Sequence, residues 1–142
     1  MPVRKIVSRL HDSGLNVETL ESCIWAEHKT DKATVTIQID LPVDSPKIYD
    51  GWVMLLDAGR ELARYYFTFN DGNIRIDQFK SNEPGNGHGT TLYSLSEDVL
   101  RTLGGKIIEL EPVQSAEEAR VRNFWEGHGF ENSGKTYMRK NL

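Results

Sequence analysis

Hydrophobic positions in the first half of the chain recur with a period of two. Over residues 33–41, Val35, Ile37 and Ile39 alternate with Thr36, Gln38 and Asp40, the signature of a half-buried strand rich in β-branched residues. Residues 60–69 carry Leu62, Tyr65, Tyr66, Phe67 and Phe69, an aromatic set suited to a pleated surface. Asp71-Gly72 follows, a pair that tolerates the positive φ of a tight hairpin, so 60–69 and 73–80 read as antiparallel partners. Residues 48–59 fit two descriptions. Trp52 to Leu56 form a continuous apolar run, yet Ile48, Trp52, Leu55, Gly59 and Leu62 also share a helical face after Ser45-Pro46. The strand is preferred, because Gly59 inside a helix is costly. Before residue 31 the pattern reads as helical in part. Val3, Ile6, Val7 and Leu10 keep helical spacing, and residues 16–22 resemble a second, capped helix.

After residue 90 the period changes. Leu92, Leu95, Val99, Leu100 and Leu103 trace an amphipathic helix that Gly104-Gly105 ends. Residues 106–111 read as a short strand. Ser115 and Glu118 form a capping box, opening a helix with Val121, Phe124 and Trp125 on one face. Residues 135–140 read as a last strand. The expected organisation is one domain over 1–142: a helical part over 1–30, antiparallel strands over 31–80, and helix, strand, helix, strand over 81–142.

Composition narrows the classes. At 38% hydrophobic and 27% charged, the chain of 142 residues has the make-up of a globular protein with a core. A net charge of −4 argues against the concentrated positive field of nucleic-acid binding. No apolar run approaches a membrane span or a signal-peptide core, and a single cysteine, Cys23, favours a reduced, cytoplasmic setting. His28, His88 and His128 are too scattered to suggest a metal site, and no nucleophile elbow is present.

Placement, not number, singles out the glycines. Gly85, Gly87 and Gly89 lie between a strand and a helix start, where unpaired amides and the helix dipole favour an anion. A flexible reversal of the chain is the alternative reading. No lysine follows as in a P-loop, and the preceding strand belongs to an antiparallel meander, unlike a dinucleotide fold. The strand before the glycines also slips phase: Ile74 and Ile76 set one alternation and Phe79 the other, as a β-bulge produces or a frayed end at Asp77 would.

In these features the sequence resembles the GNAT superfamily of N-acetyltransferases. Pro84-Gly85-Asn86-Gly87-His88-Gly89 looks like its Arg-Gly-x-Gly-x-Gly stretch, and Phe124-Trp125 with Gly129-Phe130 matches its Phe-Tyr-x-x-x-Gly-Phe helix end. The likeness spans roughly residues 52–140. It implies an α/β (α+β) fold with a mixed, mainly antiparallel central sheet flanked by helices, and direct acetyl transfer from acetyl-CoA to the amine of a small molecule or peptide. It further implies that Gly85, Asn86, Gly87, His88, Gly89 and Thr90 hold the coenzyme A pyrophosphate. Phe79 and Ser81 would meet the pantetheine arm through their main chain, and a homodimer would be common. Asp77 is the candidate base, with Glu109 and Glu111 as alternatives, and for each the other reading is an exposed, solvated carboxylate. Three positions depart from the family pattern. Pro84 replaces an Arg or Gln, Glu118 stands where an Asn is frequent, and Trp125 replaces the Tyr that protonates the leaving thiolate in many members. Indole N–H has no such acid chemistry, so an inactive acyl-CoA-binding or protein-interaction module is the second reading.

Overall fold

The computed structural model describes residues 2–31, 33–41, 47–82, 85–112, 118–134 and 136–142. The chain opens with helix α1 (Pro2–Asp12), then strands β1 (Asn16–Thr19), β2 (Cys23–Lys29), β3 (Thr34–Asp40), β4 (Ile48–Asp57), β5 (Arg60–Asn70) and β6 (Asn73–Ser81). Helix α2 (His88–Thr102), β7 (Ile107–Leu110), helix α3 (Glu118–Gly127), β8 (Glu131–Ser133) and β9 (Tyr137–Asn141) complete it. Among the described residues all strands join one sheet of order β1-β2-β3-β4-β5-β6-β7-β9-β8. Every pair is antiparallel except β6–β7, which is parallel and is bridged by α2.

The period-two pattern builds the core. Val35, Ile37 and Ile39, then Val53 and Leu55, then Tyr65, Phe67 and Phe69, then Ile74 and Ile76 all point to one face and are at most 3% exposed. Ile6 and Leu10 of α1, Leu92, Val99 and Leu100 of α2 and Trp125 of α3 join the same cluster, so all three helices lie on that face. Arg9 of α1 donates to the Leu103 carbonyl at 3.0 Å, tying the first helix to the end of α2. Two-residue turns at Ala58-Gly59 and Asp71-Gly72 have positive φ at both positions, matching the twist of the hairpins they close.

Residues 48–59 take the strand alternative. The helix expected over 16–22 is not formed: Asn16–Thr19 is an edge strand paired with β2 through Leu20. The reason is local. Val17 is the only residue of β1 that is not exposed, so the strand carries no alternation to read. β2 hides its period because His28 takes an inward position beside Ile24 and Ala26. Edge strand β8 is polar throughout, and the expected last strand is β9. The capping box at Ser115 lies outside the described residues, as does Pro84.

Candidate active site

The site begins with a misfit between β5 and β6. Their register runs from Asn70 and Asn73 to Tyr66 and Asp77, then resumes at Arg64 and Lys80. Tyr65 therefore faces two residues, Gln78 and Phe79, and Gln78 adopts φ 54°. The phase slip in the sequence is this β-bulge. It returns Phe79 to the helix-covered face, where its ring stacks on Tyr65 at 5.7 Å and meets Phe124 at 5.5 Å and Trp125 at 4.9 Å. On its other side β6 pairs with β7 only from Asn73 to Ile76. Past Leu110, Pro112 has no N–H to extend the ladder. The two parallel strands part there, and a cleft of about 520 Å³ opens between them.

Gly85, Gly87, His88, Gly89 and Thr90 form one side of this cleft. Gly87 caps α2 with left-handed φ 76° and ψ 7°, and no side chain caps the helix. Its carbonyl accepts from the Thr91 amide at 3.0 Å and the Thr91 hydroxyl at 3.1 Å. The amides of His88, Gly89 and Thr90 precede the first intrahelical donor and have no partner within the helix. Among the described residues His88 Nδ1 is buried without a hydrogen-bond partner. Gly89 serves packing instead: a Cβ there would stand a tight 3.1 Å from the Phe79 ring and 3.5 Å from Phe124. It sets how closely α2 packs on the bulge.

Of the sequence-derived residues, Asp77, Phe79, Ser81, Gly85, Gly87, His88, Gly89 and Thr90 all line the cleft. Asn86 is exposed and lies off the lining. Among the carboxylates, Asp77 and Glu111 reach the cleft and Glu109 does not; Glu109 is held by Arg139. Arg75 sits 3.5 Å from Asp77 and 3.9 Å from Glu111. A hydrogen bond with Tyr137 first, and the Asp77 charge after it, raise the Arg75 pKa. The opposite wall, Val121, Phe124 and Trp125, follows from the apolar face of α3. Trp125 is 4% exposed, with Tyr93, Phe124 and Phe130 around its ring. Gln78 carries no sequence signal, because a left-handed residue that is not glycine is unusual.

No protein-family model matches the sequence, and no curated protein matches it. Solved structures do match. A GNAT-family protein from Desulfovibrio desulfuricans superposes on 65% of this chain and 69% of its own, with a TM-score of 0.58 and 16% identity. The chain has the GNAT fold. An acetyltransferase from Bacillus cereus matches over 72% of this chain and 81% of its own, at TM-score 0.56 and 18% identity. The PaiA N-acetyltransferase of Thermoplasma acidophilum, solved in complex with coenzyme A, matches over 66% and 61%, at TM-score 0.56 and 12% identity. The expected class, a mainly antiparallel sheet with flanking helices, is therefore the observed one. Within this GNAT fold the one parallel strand pair and the cleft at its open end stand beside the glycine turn. Among the described residues no helix is long and apolar enough to cross a membrane.

Proposed function

We propose that the cleft binds acetyl-CoA and that the protein transfers the acetyl group directly to an amine of a small molecule or peptide. The observation carrying this reading is the continuity of the cleft, which joins an uncapped helix start at Gly87 to a bulged, parted strand at Phe79. The residues fit the group on two counts: a set of orphan amides with space beside Gly85 and Gly87, and the unpartnered His88 Nδ1. The amides of His88, Gly89 and Thr90 would hold the pyrophosphate, with the helix dipole behind them. The main chain of Phe79 and Ser81, beyond the end of the β6–β7 ladder, would hold the pantetheine arm.

Bound acetyl-CoA supplies an electrophilic acyl carbon and a thiolate leaving group. Asp77 takes the proton that the acceptor ammonium must lose, with Glu111 as the second carboxylate within the cleft. Arg75 stands beside both, 3.5 Å from Asp77 and 3.9 Å from Glu111. The amine nitrogen then forms the amide bond as the C–S bond breaks. Water protonates the thiolate, since Trp125 is a donor with no acid chemistry. The aromatic wall of Phe79, Phe124 and Trp125 excludes water from one side of the reaction.

The buried Trp125 favours one other reading, an acyl-CoA-binding module without turnover. Thiol release from acetyl-CoA across an amine panel separates the two. Amine-dependent release supports the enzyme; acetyl-CoA binding with no release on any amine supports the module.

A further inference from the structure

The cleft is charged at one end and apolar at the other. Asp77, Gln78 and Glu111 line its rim, and Gln78 and Glu111 are exposed. On the helix-covered side it ends on Ile76 and Leu110, with Phe79, Phe124 and Trp125 as walls. Ile76 and Leu110 are the last paired residues of β6 and β7. As partners in a parallel pair they set their side chains abreast on one face, roughly 5 Å apart. Both border the cleft, yet each is 3% exposed, and Trp125 is 4% exposed. Side chains that border a cavity and show so little surface bound a narrow, closed end. Ile74 and Ile108, the pair behind them on that face, are 1% and 0% exposed and back this floor with packed core.

An acyl-CoA in this cleft has to place its acyl chain at one of the two ends. With the phosphates at the glycine turn and the pantetheine arm beside Phe79 and Ser81, the thioester reaches the end of the β6–β7 ladder. At the rim an alkyl group stays in water beside Asp77 and Glu111. On the floor each carbon that fits is buried, which favours binding by about fourfold. The floor is shallow, so further carbons press on Ile74 and Ile108, and a close-packed interior resists that insertion.

We propose that Ile76 and Leu110 form the acyl pocket and fix its length, so that the protein takes acetyl and propionyl groups and rejects hexanoyl. This rests on the cleft being the coenzyme A site and goes further by assigning the residues that select the acyl group. Leu110 stands where β7 leaves the ladder, and its side-chain volume sets the limit.

Calorimetric titration of the full chain with coenzyme A, acetyl-CoA, propionyl-CoA and hexanoyl-CoA tests this, because the four share every phosphate and the whole arm. In the wild-type protein acetyl-CoA should bind about fourfold more tightly than coenzyme A, with propionyl-CoA at least as tight as acetyl-CoA. Hexanoyl-CoA should bind about tenfold or more weakly than acetyl-CoA. Leu110→Ala should bring hexanoyl-CoA to within about threefold of acetyl-CoA. Because Leu110 is a core residue, Leu110→Val and Ile76→Val accompany it, with the melting temperature as the check on folding. Each should narrow the gap between acetyl-CoA and hexanoyl-CoA by about threefold. A fold merely loosened by truncation would weaken all four ligands alike and leave their ratios unchanged. Equal or tighter binding of hexanoyl-CoA by the wild-type protein, or unchanged ratios in both valine variants, would overturn the proposal. No binding of coenzyme A or its thioesters would remove the cofactor reading beneath it. Binding of all four without a chain-length preference would remove the acyl pocket alone.

Discussion

Gly87→Ala places a Cβ on the residue that starts α2 at φ 76° and ψ 7°. No atom lies within 4 Å of that Cβ, so the cost is conformational and not steric. A left-handed alanine costs about 1–2 kcal/mol, and the stiffer unfolded chain returns roughly 0.4–1 kcal/mol of it. The expected net loss is about 1 kcal/mol, a fall in melting temperature of about 4 °C. Relaxing the strain would turn the Gly87 carbonyl away from Thr91 and rotate the amides of His88 to Thr90 out of the cleft. Affinity for coenzyme A should then fall by about tenfold or more. Asparagine tolerates the left-handed region, so Gly87→Asn should keep most of both quantities. Urea unfolding with and without acetyl-CoA reads stability and binding from one experiment. If alanine proves as stable as glycine and binds as well, the left-handed cap at Gly87 is not what positions those amides.

Tyr65 donates to Ser96 at 2.7 Å in the core, so Ser96→Ala should cost about 1–3 kcal/mol by urea unfolding, and Tyr65→Phe added to it should cost less than the sum of the two. Burial first and the Lys140 charge second lower the His128 pKa from its ordinary 6.5. The unfolded chain therefore takes that proton first, and stability should fall as pH drops below about 6.5; a His128→Asn variant should lose that part of the slope in acid-titration melts. Asp77→Asn should lower kcat/KM for amine acetylation about a hundredfold with acetyl-CoA affinity kept, whereas Glu109→Gln should stay within about twofold. A large loss in the Glu109 variant would misplace the base.

The parts of the fold that were legible in the sequence share one property: each buries a full face. Residues 33–41 and 60–80 alternate over several residues, and α2 repeats its leucines over three turns, so period and packing agree. β1, β2 and β8 fail that condition. Edge strands β1 and β8 bury almost nothing, and β2 interrupts its inward row with His28. The bulge was legible because it shifts Phe79 out of phase with Ile76, although Gln78 as its left-handed residue was not. The glycine turn was legible for Gly85 and Gly87, which need positive φ. For Gly89 the same spacing concealed a packing contact with Phe79 and Phe124. Which carboxylate faces the cleft depends on where β7 stops, and Glu109 and Glu111 look alike until that is known.

Coenzyme A held in this cleft would stabilise the folded chain. The most direct measurement is the unfolding free energy of the full chain with and without acetyl-CoA at 100 times its dissociation constant. A stabilisation of about 2.7 kcal/mol is expected in the wild-type protein, with an about tenfold or greater weakening of affinity in Gly87→Ala that Gly87→Asn largely restores. An unchanged unfolding curve at millimolar acetyl-CoA would contradict it.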